Sequence, residues 1–164
     1  NIMRTRIVLS CCMALLLVCG SARAANDWSV YWGAGGGLVL PKSAGNKAGL
    51  NAGGRFGLQY SGFPGWAAEA DLTTTLIKPH YDYRDLRLTT LGGYLTWRSS
   101  GRWYFKARAG GVWEWTRVGN GSANDGGLSG GIGGGYRFDD GRALELEFTV
   151  IEKNINMLSV TYQF

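Results

Sequence analysis

The chain has little cysteine, histidine or proline, and these shortages exclude several classes of protein. Its three cysteines, Cys11, Cys12 and Cys19, all precede Gly20, and the 164 residues include one histidine and three prolines. If the N-terminal segment is removed, the rest of the chain cannot form a disulfide, a thiol nucleophile or a cysteine-type zinc site. The sequence also lacks helical periodicity and any apolar run of about 20 residues, the length that a membrane-spanning helix requires.

The first residues are typical of a secretory signal peptide. A short basic start precedes an apolar run over 7–19, and the small residues Ala22 and Ala24 fit the pattern after which a signal peptidase cleaves. We therefore expect residues 1–24 to be a signal peptide that is cleaved on export. Acylation at Cys19, as in a lipoprotein, is the alternative, although the residue before it is bulkier than is usual at such a site.

The remaining chain, residues 25–164, is nearly neutral and suits a single domain. The whole sequence carries a net charge of +5 from 17 basic and 12 acidic residues. Removing Arg4, Arg6 and Arg23 lowers this net charge to about +2. No basic face remains for a nucleic-acid partner. The composition combines 27 glycines with 13% aromatic residues, and because disordered chains are poor in aromatic residues, we expect an ordered structure.

Apolar and polar residues alternate with a period of two along most of the mature chain. The pattern is clearest where Leu158, Val160, Tyr162 and Phe164 interleave with more polar residues, and the segment 144–150 repeats it. Such alternation is typical of β-strands with one apolar face. It predicts eight strands, over 28–40, 50–60, 66–75, 86–97, 103–115, 128–138, 144–150 and 158–164.

The lengths of the strands and of their connections favour a barrel. A tilted strand of about 9–11 residues crosses a bilayer, and bacterial single-chain barrels have an even number of strands. Tight connections at 61–65, 98–102 and 139–141 alternate with longer ones at 41–49, 76–85 and 116–125. The sequence therefore predicts an all-β fold, an eight-stranded antiparallel up-and-down transmembrane β-barrel with a polar, side-chain-filled lumen. The tight turns and both termini are expected on the periplasmic side.

The fourth predicted strand does not keep one parity. Leu86 and Leu88 fall on one face, whereas Leu91 and the apolar residues after it fall on the other. One extra residue would restore a continuous apolar face. We therefore predict a β-bulge near Thr89 and Thr90.

The tryptophans are grouped at the ends of the predicted strands. Five lie beside the termini or tight turns, and two lie beside a long loop. Because Trp and Tyr concentrate at membrane–water interfaces, this placement predicts an aromatic girdle at two levels. The girdle residues are Trp28, Trp32, Trp66, Trp97 and Trp103 at one level and Trp113 and Trp115 at the other.

The polar face of the strands carries charges of both signs. The set comprises Arg55, Lys106, Arg108 and Arg137 with Glu69, Asp71, Glu114, Glu145 and Glu147. If the apolar face meets lipid, these side chains fill a narrow lumen, where isolated charges are costly. We therefore predict a lumen ion-pair network in which Arg55 pairs with Glu69 or Asp71. On the same basis, Arg137 is expected to pair with Glu145 or Glu147.

Four segments of the second half of the chain carry a family resemblance: YFKARAGGV at 104–112, GGIGGGYRF at 130–138, LELEF at 144–148 and LSVTYQF at 158–164. They resemble the small outer-membrane β-barrel family, which includes the opacity-protein-like, OmpX/Ail-like and OmpA-barrel proteins. The resemblance implies insertion into a bacterial outer membrane, in contact with its lipid and lipopolysaccharide. It also implies that Val160, Tyr162 and Phe164 form the signal that the barrel assembly machinery reads.

The resemblance says little about activity, so three functions stay open. The first is a non-catalytic structural or surface-interaction role, with no cofactor or metal and with an external ligand at the loops. The second is a narrow gated pore for small ions or solutes that uses the lumen charges. The third is a lipid A-modifying enzyme, but the late strands contain no histidine, and His80 in the second long loop is the one candidate base.

Overall fold

The computed structural model describes residues 27–41, 48–77, 80–81, 84–118, 121–151 and 155–164. The predicted signal peptide, 1–24, lies outside them, as do parts of the predicted longer connections. Among the residues described, no helix has the length and apolar character that crossing a membrane would require. The strands are β1 (Trp28–Pro41), β2 (Gly49–Tyr60), β3 (Trp66–Ile77), β4 (His80–Tyr81), β5 (Arg84–Arg98), β6 (Trp103–Val118), β7 (Gly121–Arg137), β8 (Ala143–Ile151) and β9 (Ile155–Gln163).

Eight of these strands form a closed antiparallel barrel. Each long strand pairs with its neighbours in the chain, and the ring closes because β1 also pairs with β9 and β3 pairs with β5 across the short β4. Closure leaves the barrel without the exposed strand edges that promote aggregation. Strand β4 is a two-residue addition that pairs only with the start of β5 among the described residues. The predicted eight-stranded up-and-down barrel is confirmed.

The alternation in sequence becomes an inside and an outside in the structure. Along β8, the side chains of Leu144, Leu146 and Phe148 are exposed, whereas Glu145 and Glu147 between them are buried. The other strands repeat this arrangement, so large apolar side chains cover the outside and polar ones fill the lumen. This is the reverse of a water-soluble protein, and it suits an apolar solvent around the barrel.

The tight turns all lie at the end of the barrel where β1 begins. They connect β2 to β3, β5 to β6 and β7 to β8, as predicted from the sequence. Gly65, Gly101 and Gly141 take φ angles of 84°, 109° and 86° in these turns. This left-handed region is strained for residues with a side chain, so glycine is the residue that permits each reversal. We call this end of the barrel the turn end and the opposite one the loop end.

The predicted β-bulge at Thr89 and Thr90 is wrong. Both residues keep an unbroken register, with Thr74 and Thr73 of β3 on one side and with β6 on the other. Leu88 simply points inward and is buried, because the lumen is not polar along its whole length. An apolar group lies inside the barrel near the loop end, and it comprises Val39, Val112, Ile151 and Met157.

The described register does contain one irregularity, between β2 and β3. Leu50 pairs with Ile77, while the next residue, Asn51, pairs with Thr75. One residue of β3 is therefore extra at this point, near the loop end.

The predicted long connection over 116–125 is also wrong. Strand β6 continues to Val118 and β7 starts at Gly121, and the two pair all the way to their ends. The alternation of apolar and polar residues stops near Trp115, but the hydrogen-bonded ladder does not, because pairing requires only backbone groups. The result is a long hairpin, the β6–β7 hairpin.

Candidate functional site

Eight charged side chains meet inside the barrel between the turn end and its middle. All eight are buried, and four are acidic and four basic. We call them the lumen charge cluster. Its members are Glu69 and Asp71 on β3, Glu145 and Glu147 on β8, Arg55 on β2, Arg98 on β5, and Lys106 and Arg108 on β6.

Glycines on the inner face make room for these long side chains. Gly133 of β7 lies in register between Lys106 of β6 and Glu147 of β8. A side chain at Gly133 would collide with the backbone of Leu146. Because this position is empty of side-chain atoms, the lysine and the glutamate meet across an intervening strand.

Arg55 joins both acidic strands. Its guanidinium donates two parallel hydrogen bonds to Asp71, from Nε at 2.8 Å and from Nη2 at 3.1 Å. Its third nitrogen, Nη1, donates to Glu145 at 2.8 Å. The planar fork of arginine suits this two-sided binding of carboxylates. One residue therefore connects β2 with β3 and with β8 across the lumen.

Lys106 lies among three carboxylates. Its Nζ is 2.8 Å from Glu145, 2.9 Å from Glu147 and 3.2 Å from Glu69. A compact ammonium with three donors fits the centre of such a group. Arg98 completes this layer, since it binds Glu145 at 2.8 Å and also pairs with Glu69.

Arg108 closes the side of the cluster that faces the loop end. It pairs with Asp71 and lies 2.6 Å from Glu147. Its guanidinium carbon stands 3.9 Å from the centroid of the Tyr94 ring, a cation–π distance. Its Nη2 also donates to the hydroxyl of Thr149 at 3.2 Å.

Hydroxyl groups occupy positions around the carboxylates. Tyr31 donates to Glu69 at 2.7 Å and accepts a hydrogen bond from Arg98 at 2.8 Å. Tyr104 donates to Glu145 at 2.8 Å, and Thr96 donates to Glu69 at 2.9 Å. Buried carboxylates with this many donors have most of their lone pairs satisfied, which offsets the cost of removing them from water.

The cluster separates the two ends of the lumen. On its loop-end side lies a cavity of about 50 Å³, which has Arg55, Asp71 and Arg108 at its floor. Asn51 and Thr90 are among the residues on its walls. A space of this size holds a few water molecules, whereas the charged layer beneath it is packed with side chains.

Comparisons with known proteins agree with this architecture. The structure is similar to Neisserial surface protein A, with a TM-score of 0.56 and 15% sequence identity over 86% of this chain and 98% of that one. It is also similar to the N-terminal β-barrel domain of Pseudomonas aeruginosa OprF, with a TM-score of 0.53 and 12% identity over 82% and 97% of the two chains. No protein-family model and no curated protein sequence matches the chain.

The chain has the fold of the small outer-membrane β-barrels. A barrel of this type with an apolar outside and a charged inside belongs in a bacterial outer membrane. At this level of identity the likeness concerns the fold, so activity has to be argued from the residues of this chain.

The seven tryptophans all lie on the outside of the outer-membrane barrel. Each is exposed, from 40% for Trp97 and Trp115 to 78% for Trp103. Trp66 and Trp97 are register partners beside two tight turns. Trp113 and Trp115 lie toward the loop end of β6, so the tryptophans occupy two levels on the exterior.

The assembly residues predicted at the end of the chain also face outward. Val160 and Phe164 are exposed, and the Phe164 ring stacks on Trp32 at 4.2 Å between centroids. The backbone N–H of Phe164 donates to the carbonyl of Trp32 at 2.8 Å. Tyr162 packs edge-on against Phe164 at 4.9 Å. These contacts join β9 to β1 at the seam that closes the outer-membrane barrel.

Two residues of the predicted network lie apart from the lumen charge cluster. Arg137 is exposed at the last position of β7, where it donates to the carbonyl of Gly101 and stands 5.0 Å from the Tyr104 ring. Its predicted pairing with Glu145 or Glu147 is wrong, because the strand ends at the turn and its side chain reaches solvent. Glu114 is buried nearer the loop end, in register with Thr90 and Asp125.

The sequence-based prediction missed Arg98 and the tyrosine hydroxyls. Arg98 was assigned to a tight turn, but β5 includes it, and Arg98 has the same parity as the inward Tyr94 and Thr96. That parity was the available signal, but the predicted strand ended one residue earlier, at Trp97. Tyr31 was missed because tyrosine counts as an apolar residue when the alternation of apolar and polar residues is assessed.

His80, the one candidate base for a lipid-modifying enzyme, lies in β4 opposite Asp85. In the described part of the chain there is no group of three or more His, Cys, Asp or Glu side chains placed to hold a metal ion.

Proposed function

We propose that the chain is a non-catalytic outer-membrane barrel with a structural role, which also presents a rigid hairpin to the outside. The observation that carries this proposal is the lumen charge cluster. Eight buried charges from five strands hold one another in place and fill the cross-section of the barrel. A barrel whose strands are held together by ion pairs that fill its lumen fits a structural role in the membrane better than the role of an open channel.

The energetics of the cluster support a bracing role. Buried ions are stable only as a complete, hydrogen-bonded set, because each ion alone would be costly to remove from water. Here every carboxylate of the set contacts at least two bases; Glu147, for example, meets Arg55, Lys106 and Arg108. Moving one strand would break several pairs at once. The barrel is therefore expected to resist deformation.

The β6–β7 hairpin supports a role at the cell surface. Strands β6 and β7 have 16 and 17 residues, whereas about 9–11 residues cross a bilayer. The hairpin is therefore longer than a membrane crossing requires, and its loop-end part extends beyond the bilayer.

Membrane leakiness in cells that lack the protein tests the structural role. We expect uptake of a lipophilic dye to rise in these cells and to return to normal when the full barrel is restored. A barrel in which residues 117–122 are replaced by Asn-Gly separates the two roles. Rescue by the trimmed barrel supports bracing alone, and rescue only by the full barrel assigns the role to the hairpin. Unchanged dye uptake in the absence of the protein would refute the structural role.

A narrow gated pore is the second candidate, and the cavity above the charge cluster is the observation that favours it. That cavity places polar residues such as Asn51 and Thr90 beside Arg108 and Asp71 of the lumen charge cluster. Planar-bilayer recording of refolded protein discriminates the two functions. We expect no conductance over a range of voltages and salts, and discrete, reproducible openings would establish the pore instead.

A further inference from the structure

An apolar groove runs along the outside of the barrel near the turn end. It has a volume of about 520 Å³ and crosses β6, β7, β8 and β9. Gly134 forms its floor, because no side chain projects outward there, and larger residues form its walls. These wall residues are Trp103, Phe105, Tyr136, Leu146 and Val160. We call it the β6–β9 groove.

Charged residues stand at the end of this groove, on the two turns beside it. Arg102 directly precedes Trp103, and Arg142 lies two residues before Leu144, which also lines the groove. Arg102 pairs with Asp139, and the Nε of Arg142 donates to Asp140 at 2.6 Å. Both pairs are exposed, so their donors remain accessible to another anion.

The rim carries one more base than acid. Arg137 lies where β7 meets the turn to β8 and is exposed, and it contacts the Gly101 carbonyl and the Tyr104 ring. Three arginines therefore stand against two aspartates. Arg142 also leans over the Tyr162 ring at 5.9 Å, on the lipid-facing side of the wall. The positive charge is thus displaced toward the surface where a lipid headgroup would lie.

A second exterior groove provides an internal comparison. It lies at the same end, has a volume of about 390 Å³, and is lined by Trp28, Leu58, Phe63, Trp66 and Leu95 among others. The described turn residues beside it, 61–65 together with Asp27, include one aspartate and no arginine or lysine. The two grooves therefore offer similar apolar surfaces with different charges at the rim.

We propose that the β6–β9 groove binds one phospholipid, with an acyl chain over Gly134 and the phosphate held by Arg102 and Arg142. Apolar surface in the groove favours the chain, and guanidinium groups bind phosphate through paired, charge-assisted hydrogen bonds. The turn end of such barrels faces the periplasm. The lipid beside the groove therefore belongs to the inner leaflet of the outer membrane, which consists of phospholipid and not of lipopolysaccharide. The inference rests on the membrane location and is independent of the structural role proposed above.

Native mass spectrometry of the refolded barrel in detergent tests the chain site. The probes are dimyristoyl phosphatidylglycerol and dimyristoyl glycerol, which share chains but differ in the phosphate. Leu146→Trp fills the β6–β9 groove, and Leu95→Trp fills the other groove with the same substitution at a similarly exposed leucine. We expect Leu146→Trp to weaken retention of phosphatidylglycerol about tenfold and Leu95→Trp to leave it unchanged. Equal retention by the two variants would overturn the proposed site.

The headgroup contact is tested separately with Arg102→Gln/Arg142→Gln. Both arginines are exposed on turns, so this variant is expected to fold normally. In the unmodified barrel, phosphatidylglycerol should be retained about tenfold more strongly than the diacylglycerol. In the double variant, this preference should disappear while diacylglycerol retention stays the same. A preference that persists in the double variant, or is absent from the unmodified barrel, would refute binding of the phosphate by these arginines.

Discussion

Lys106 shows how much depends on single residues in the lumen. Its ammonium is within 3.2 Å of three carboxylates, and the residue is 2% exposed. We expect Lys106→Met, which keeps the length of the side chain, to lower the free energy of unfolding by about 3–5 kcal/mol, because it leaves buried carboxylates uncompensated. Urea unfolding in lipid vesicles measures this change. Asp27→Asn, which removes one exposed charge at the turn end, is the control and should have no measurable effect; similar losses in both would contradict the argument.

Gly57 tests the packing around the cluster. A side chain at this position would overlap the ring of Tyr31, which is fixed by Glu69 and Arg98 and cannot easily move. We expect Gly57→Ala to lower the free energy of unfolding by about 1–3 kcal/mol. The matched control is Gly93→Ala, since Gly93 faces outward and its added methyl group would meet no atom within 4 Å. Equal stability of the two variants would show that Tyr31 is free to shift.

The charged residues of the strand centres could be recognised from sequence because parity alone decides which face they occupy. Their partners across the lumen could not be assigned, because β3 and β8 are not neighbouring strands. No local sequence pattern shows which distant strands face each other. Arg55 illustrates both cases: its cross-strand partner Asp71 follows from neighbouring strands, whereas Glu145 is 90 residues away. Arg98 was missed because the end of a strand is the point where alternation gives least information.

At the scale of elements, the β6–β7 hairpin is expected to be dispensable for folding. Thr116 and Ala123 are register partners, so a two-residue Asn-Gly turn in place of residues 117–122 closes a shorter hairpin without changing the register. The trimmed barrel should insert and unfold like the full one, because the removed residues lie beyond Trp115 and outside the bilayer. Urea unfolding measures the stability of the trimmed barrel, and the change in its gel migration on boiling measures its insertion. Loss of insertion would show that these residues belong to the membrane-spanning wall.

The seam between β1 and β9 is expected to depend on Phe164. Its ring stacks on Trp32 and its backbone bonds to the same residue, and we propose that the barrel assembly machinery reads this strand. Phe164→Ala should therefore reduce the amount of protein in outer-membrane fractions severalfold. Phe63→Ala, at an exposed aromatic residue in a tight turn, should not. Equal amounts of the two variants in the membrane would remove Phe164 from the assembly signal.

The ends of the elements were the least predictable part of the fold. The β6–β7 ladder outlasts its apolar pattern, since backbone hydrogen bonds continue where no face needs to meet lipid. Leu88 breaks the pattern in the opposite sense, as an apolar residue that points inward and is buried. In both places the sequence periodicity reports the environment of a face, and the strand itself extends beyond it.

At the scale of the whole molecule, closure predicts resistance to detergent. Every long strand has two hydrogen-bonded neighbours, so no strand can peel away without breaking a ladder. Unheated protein in dodecyl sulfate should migrate at a different position from boiled protein and should show a β-type circular dichroism spectrum. A single band position with and without boiling would contradict a closed barrel.

The lumen charge cluster also ties the completion of the ring to the burial of its ions. Hairpin neighbours supply the pair between Arg55 and Asp71, but Arg98 reaches Tyr31 over 67 residues and Arg55 reaches Glu145 over 90. A sheet that lacks some of its strands would therefore carry several uncompensated ions into the hydrocarbon, and this makes such an intermediate unstable in the membrane. Insertion and closure are in this way a single thermodynamic event, and the ions penalise every intermediate that stops before the first and last strands have met.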